Sequence, residues 1–264
     1  MVELGSDPVF PRQPIGVFDS GVGGLSILRA LRAELPAEDF TYLADSGFAP
    51  YGERDDSFVV ERARAVAQRL LDEHAIKALV IACNTATAAA VHLLREELPG
   101  LPIIGVEPAL KPALALTRTG RIGVMATRGT LASAKFRTLH DSLKDQAQFV
   151  LQPCDGLADA IETHDSAKIA ELCTHYAGAM GRFGNETGEI DTLVLGCTHY
   201  PFAQELQALV GAAVRMAETG APVARQTHRL LEAAGKLKST GAGSVALHST
   251  GDLAALQRSA ARWL

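Results

Sequence analysis

Read in order, the chain alternates short charge-free runs of β-forming residues with longer segments whose apolar positions recur at helical spacing. Ile15 to Phe18 is the first such run. Leu25, Leu28, Leu31 and Leu35 then mark one face of a helix that stops before Pro36. Phe40 to Ala44 predicts a second strand delivering Asp45 and Ser46, with a loop from Gly47 to Asp56 after it. Ser57 is placed to cap a long amphipathic helix carrying Val59, Val60, Ala63, Val66, Ala67, Leu70 and Leu71. Ala78 to Ala82 is the third strand, and an Ala-rich helical pattern runs from Ala86 to Leu94. This βαβαβα order predicts a parallel sheet with helices on both faces.

Pro102 to Val106 adds a strand that ends at Glu107-Pro108, and a second series begins at Arg121 to Met125 with a loop over Ala126 to Thr130. Gln148 to Gln152 predicts a strand, Leu157 to Ile161 a helical turn delivering Glu162, and Ser166 to Arg182 a helix. The strand Leu193 to Leu195 leads through Gly196 and Cys197 to a helical run over Ala203 to Val210. Val214 to Glu218, a helix over Ala221 to Ala234, a strand over Ser244 to His248 and a helix from Asp252 complete the series. Residues 1–13, with Pro8 and Pro11 and then Pro14, read as a frayed leader.

Two stretches repeat. Val80-Ile81-Ala82-Cys83-Asn84-Thr85 and Leu193-Val194-Leu195-Gly196-Cys197-Thr198-His199 each run from an apolar strand through a small residue into Cys and then polar residues. Gly16 and Gly123, in the opening strands of the two series, are 107 positions apart, and Cys83 and Cys197 are 114 apart. Nearly equal offsets for two landmarks predict a duplicated architecture. The fold expected is α/β: two pseudo-symmetric lobes, each a mostly parallel sheet flanked by helices, with the site in the cleft between them. The expected division is residues 1–106 plus 219–264 for the Cys83 lobe and 107–218 for the Cys197 lobe. The tail finds no place in the second repeat and is assigned to the first.

Composition narrows the class. At about 150 residues per domain, 264 residues make two modest domains or one large one, and 47 % apolar residues can fill their cores. A net charge of −5 with no block of like charge argues against a nucleic-acid partner. No apolar run approaches the roughly 20 residues of a membrane span, and the acidic start is no signal peptide. Four cysteines without paired short spacing read as reduced thiols of a cytoplasmic protein.

Among candidate sites, Gly21-Val22-Gly23-Gly24 after a strand, with Asp45 about 20 residues on, invites a dinucleotide reading. The match is incomplete, because Ser26 takes the last glycine's place and Asp19 would repel a pyrophosphate. What remains is a loop that presents Asp19 and Ser20 and offers N–H groups to a smaller anion. Cys154 and Cys173 read as packing residues. Cys83 and Cys197 differ, because a helix N-terminus favours thiolate and attracts carboxylates. Cys197 with His199 supplies two metal ligands at most, short of a site. The other histidines, at 74, 92, 140, 164, 175, 228 and 248, read as solvated.

These residues together resemble the glutamate racemase family, cofactor-independent enzymes of bacterial cell-wall synthesis. The matching stretches are Ile15 to Gly24, Pro50-Tyr51-Gly52, Ala82 to Thr85, Gly105 to Pro108, Thr127 with Thr130, and Gly196 to His199. They span about residues 14 to 225 in the family's order. The chain departs from the pattern at Phe48, where many members carry a basic residue nearby, and around Glu162. The resemblance implies interconversion of L- and D-glutamate by direct deprotonation, with no cofactor and no metal. Two thiols, Cys83 and Cys197, would exchange a proton across the two faces of the α-carbon. Asp19 and His199 would assist them respectively, and Glu162 would flank the second side. Asn84, Thr85 and Thr198 would hold the α-carboxylate. Ser20, Pro50, Tyr51, Gly52, Thr127 and Thr130 would complete the substrate contacts. A homodimer is a further expectation. A racemase of aspartate or a hydantoin, and a binding protein without turnover, remain alternatives.

Overall fold

In the computed structural model, residues 13–264 are described; the leader expected over residues 1–13 lies, but for its last position, outside them. The elements run β1 (Ile15–Asp19), α1 (Leu25–Glu34), β2 (Phe40–Ala44), α2 (Asp56–His74), β3 (Ala78–Ile81), α3 (Asn84–Glu97) and β4 (Ile103–Gly105). They continue with α4 (Leu110–Leu116), β5 (Arg121–Ala126), α5 (Arg128–Ala132), α6 (Ala134–Asp141), β6 (Gln148–Pro153), α7 (Leu157–Glu162), α8 (Ser166–Met180) and β7 (Thr192–Leu195). The last are α9 (Glu205–Val210), β8 (Arg215–Ala217), α10 (Gly220–Ala233), β9 (Val245–Ser249) and α11 (Leu253–Trp263).

Two sheets form, ordered β4-β3-β1-β2-β9 and β6-β5-β7-β8, and their strand pairs are parallel. Reversed, the second reads β8-β7-β5-β6 and superposes in order on β4-β3-β1-β2, so β3 and β7 hold equivalent places. In the first sheet both faces are covered. Val17, Tyr42 and Val80 point into one core with α1 and α10, while Phe18, Leu43 and Ile81 point into another with α2 and α3. Burial on both sides explains why these strands are charge-free up to Asp19 at the end of β1. The second sheet repeats the scheme with Met125, Leu193 and Leu195 on one face and Ile122, Val124 and Val194 on the other. Its edge strand β6 is only half-buried.

The tail joins the first sheet, with β9 beside β2 in the register Phe40↔Val245 to Ala44↔Ser249. The link before it is tied down: Lys238 N–H donates to Glu38 Oε1 (2.7 Å), and Glu38 makes a buried ion pair with Lys77 (2.6 Å). The tail also reaches the second sheet's side, where Trp263 stacks on Phe202 with ring centroids 3.9 Å apart.

Several local expectations need correcting. Helix α2 begins at Asp56 after an extended Asp55, so Ser57 lies inside the first turn and does not cap it. Leu110–Leu116 and Ala134–Asp141 are helices that the sequence reading left out, and part of the expected loop at Ala126 to Thr130 is the start of α5, capped by Thr127. Two histidines read as solvated are half-buried and pack instead. The His74 and His248 ring centroids lie 4.3 Å apart, each ring with a buried Nε2 that has no hydrogen-bond partner among the described residues, and burial with the neighbouring His74 pulls His248 below its ordinary value. His164 is exposed as read, although it meets Ser259 Oγ at 3.0 Å and lies tilted against Trp263. Each contact joins elements remote in the chain, which no local pattern reveals.

Candidate active site

Parallel strands end together, and here the ends of β1, β3, β5 and β7 open on one cleft between the sheets. Cys83 follows β3 and is the N-cap of α3, its Sγ accepting from Ala86 N–H at 3.4 Å and lying 3.7 Å from Ser20 Oγ. Cys197 stands at the equivalent place after β7, 3.7 Å from His199 Nδ1. Both thiols line one cavity with Ser20, Pro50, Tyr51, Gly52, Asn84, Thr85, Thr127, Glu162, Thr198 and His199. Two of the expected site residues do not line it. Asp19 is fully buried beneath, accepting from Gly21 N–H (2.8 Å) and Thr198 Oγ1 (3.0 Å). Thr130 lies behind Thr127, accepting from its Oγ1 at 2.9 Å.

The glycine loop has an occupant of its own. Val22 N–H donates to Glu162 Oε2 at 2.8 Å, so the small anion at this loop is a side-chain carboxylate from the opposite lobe. A Cβ at Gly21 would overlap that carboxylate, and one at Gly23 would overlap His199. Glycine here lets the second lobe close on the first. Other bonds cross the same cleft: Ser26 Oγ to the Thr198 carbonyl (2.8 Å), Ser46 Oγ to Glu162 Oε1 (3.3 Å), and Thr85 Oγ1 with Thr127 Oγ1 (3.2 Å).

The two thiols sit in different fields. Burial pushes Cys83 up to about 12, with the Asp19 carboxylate adding to the effect and the Ala86 N–H and Ser20 hydroxyl opposing it. Burial also raises Asp19, against the pull of His199 and the Gly21 N–H. On the other side burial would lower His199, but Cys197 and Glu162 together hold it well above its ordinary value. Glu162 meets His199 Nε2 at 2.7 Å, and although burial opposes it, that contact with the Val22 N–H keeps the carboxyl low. Cys197 therefore faces an imidazolium backed by a carboxylate.

Asn84 completes the polar lining. It is buried, and neither its Oδ1 nor its Nδ2 has a hydrogen-bond partner among the described residues. Buried amides of this kind are rare without a ligand or water to satisfy them. Among the described residues no group of three or more His, Cys, Asp or Glu side chains is arranged to hold a metal ion, and no helix is long and apolar enough to cross a membrane.

The family model for Asp/Glu/Hydantoin racemase matches residues 15–221. The chain belongs to that family. It is 48 % identical over 247 residues to the glutamate racemase of Ectopseudomonas mendocina, covering 92 % of both chains. It is 50 % identical over 248 residues to that of Ralstonia nicotianae, covering 92 % of this chain and 87 % of the relative. Among solved structures it resembles a glutamate racemase isoform of Bacillus anthracis (TM-score 0.83, 30 % identity, 96 % of this chain and 94 % of that one). It also resembles the Escherichia coli enzyme in complex with L-glutamate and an activator (TM-score 0.79, 31 % identity, 94 % and 95 % covered). The protein is thus an amino-acid racemase of two parallel-sheet α/β lobes.

Family membership directs notice to lining residues that the sequence reading passed over. Cys154, read as packing, belongs to a core cluster and also lines the cavity. Its signal was its place at the end of β6, the strand equivalent to β2. Arg128 and Asp155 form an ion pair among the lining residues. No pattern in the sequence links those two, because α5 and the turn before α7 meet only in the fold.

Proposed function

We propose that the protein is a glutamate racemase that interconverts L- and D-glutamate without a cofactor, with Cys83 and Cys197 as the two acid–base groups. The observation that carries the reading is one thiol from each lobe, at equivalent strand ends, lining a single cavity beside the buried Asn84 amide. Inverting an α-carbon requires a base on one face and an acid on the other, and two facing thiols supply both without turning the substrate over. Support for glutamate comes from the relatives of that name and from a neighbour from Francisella tularensis in complex with D-glutamate (TM-score 0.80, 25 % identity).

Toward L-glutamate, Cys83, whose thiol burial pushes up, serves as the acid, and Cys197, beside the His199 ring, serves as the base. With L-glutamate bound, Cys197 removes the α-proton and Cys83 returns one to the opposite face. The product leaves with Cys83 as thiolate and Cys197 as thiol, the pair that D-glutamate needs for the reverse reaction. Asn84, Thr85 and Thr198, near helix or loop starts, bind the α-carboxylate where charge builds in the transition state. Ser20, Pro50, Tyr51, Gly52 and Thr127 hold the remainder of the substrate, with Thr130 steadying Thr127. Asp19 sets the field at Cys83, and Glu162 fixes His199. The division into lobes that fits this reading is residues 1–106 with 219–264 for the Cys83 side and residues 107–218 for the Cys197 side. We place the enzyme in the cytoplasm, as a homodimer, supplying D-glutamate for peptidoglycan.

Circular dichroism of L-glutamate with the purified protein and no added cofactor tests the reading. The ellipticity should decay to zero, and more slowly or not at all for L-aspartate and single-enantiomer hydantoins. Decay only with another substrate would reassign it, and activity lost to a chelator and restored by a metal would overturn the cofactor-free mechanism.

A further inference from the structure

Helix α2 does not line the cavity, yet one of its side chains governs a loop that does. Arg62 makes a two-pronged contact with Asp45, Nε to Oδ2 and Nη2 to Oδ1, both at 2.9 Å. Asp45 is fully buried at the end of β2, and its Oδ2 also accepts from the Tyr51 hydroxyl. Burial and the Asp45 carboxylate raise Tyr51, so its hydroxyl stays a donor. The Tyr51 ring is held edge-on by Phe18 from β1 and Phe58 from α2, each with centroids 6.2 Å away. Arg62 also stacks over Phe48, its Cζ 3.5 Å from the ring centroid.

Both ends of the segment 46–52 are therefore tied to a single guanidinium–carboxylate pair. Between those ends lie Ala49 and Pro50, which line the cavity with Tyr51 and Gly52, and Ser46, whose hydroxyl reaches Glu162 of the opposite lobe. The dinucleotide role considered for Asp45 is ruled out on this geometry, because both its oxygens are taken by Arg62 and Tyr51. A planar guanidinium meeting a carboxylate through two parallel bonds fixes orientation as well as charge.

We propose that Arg62 is a positioning residue for the substrate: through Asp45 and Tyr51 it holds the 46–52 segment against the cavity, and so sets affinity for glutamate while touching none of it. This rests on the glutamate racemase reading. Neither Arg62 nor Asp45 lines the cavity that holds both thiols, so their loss acts on substrate binding more than on proton transfer. Removing the guanidinium leaves the Asp45 carboxylate buried without its cation, which frees Tyr51 and the segment. Lysine keeps the charge and loses the second prong.

The test is steady-state racemisation by circular dichroism together with calorimetric binding of glutamate, on wild type, Arg62→Gln, Arg62→Lys and the double variant Asp45→Asn/Arg62→Gln. Arg62→Gln should raise KM and the dissociation constant about 10-fold with kcat changed less than about 3-fold, as expected for loss of uniform binding. Arg62→Lys should recover part of the loss. The double variant, with no buried unpaired carboxylate, should bind better than Arg62→Gln alone. Wild-type KM in Arg62→Gln, or a fall in kcat with KM unchanged, overturns the proposal. If Arg62→Gln does not fold, Arg62→Lys decides, and wild-type KM and affinity there overturn it. A wild type that binds glutamate without turnover overturns the racemase reading and leaves the binding comparison to decide Arg62. A wild type that neither binds nor turns it over overturns both.

Discussion

Cys83 and Cys197 occupy equivalent corners of two lobes with the same strand order, but their surroundings are not equivalent. The Cys83 corner holds a serine hydroxyl, a helix N–H and a buried carboxylate beneath, and its thiol is pushed up to about 12. The Cys197 corner holds a histidine whose far nitrogen is tied to Glu162. A duplicated backbone thus gives two like positions, and the side chains around them give the two corners different fields. Neither corner is self-contained. Asp19 on the first side is bonded to Thr198 of the second, and Glu162 on the second is bonded to Val22 of the first. Each corner is thus steadied by a bond from the other lobe.

The strongest way to break this comparison is to remove one thiol at a time. Cys83→Ser and Cys197→Ser should each lose about 1,000-fold or more in racemisation, because serine is a far weaker acid and each direction needs both groups. At an equilibrium constant of one, kcat/KM must fall equally in both directions, so racemisation cannot distinguish the corners. An irreversible reaction that needs one base can. Elimination from N-hydroxyglutamate or a β-substituted glutamate should favour the L-form in Cys83→Ser and the D-form in Cys197→Ser. Equal residual activity toward both enantiomers would falsify the two-base assignment.

Closure is the next point of attack. Gly21→Ala puts a methyl group into the Glu162 carboxylate, an overpacking that costs about 1–3 kcal/mol. Activity should drop by about 10- to 100-fold, through weaker substrate binding, while each lobe keeps its fold. Unchanged kinetics would show that the lobes need not meet at Val22 during turnover.

A smaller effect concerns charge on the second side. The His199 imidazole, followed by NMR, should titrate well above 6.5 in the wild type and move down in Glu162→Gln. A raised imidazole value stabilises the fold fully below pH 6.5 and loses that contribution as pH rises through the folded value. Glu162 is lowered, so its contribution is present above pH 4.5 and is lost as pH falls through its folded value. Both contributions are complete between those limits. An imidazole that titrates at its ordinary value would remove the contrast between the corners.

The smallest effect belongs to a thiol outside the contrast. Cys173 is fully buried in the second lobe's core and away from the cavity lining, and burial pushes it up to about 12. Cys173→Ala should cost about 1 kcal/mol of stability, seen as a small fall in Tm, with racemisation unchanged. A large loss of activity would mean that the lining does not define the reacting groups.

By itself, the sequence determined the parallel α/β class, the duplication and the two cysteine corners. Strands buried on both faces must be apolar throughout, helices must show one apolar face, and strand ends in a parallel sheet collect on one side. Those are local consequences of burial, and they are written in Val80 to Thr85 and Leu193 to His199. Helix α4 escaped notice because a seven-residue segment with Pro112 inside it shows too little periodicity. The pairing of His74 with His248, the Trp263 stack and the grip of Arg62 on Asp45 escaped because each joins segments whose spacing in the chain carries no signal. The glycine loop is the clearest case. Its composition said that some anion would approach closely, and only the closing of the second lobe decided that the anion is Glu162. Charge and contact between remote segments depend on distance in space, which the tertiary structure alone sets.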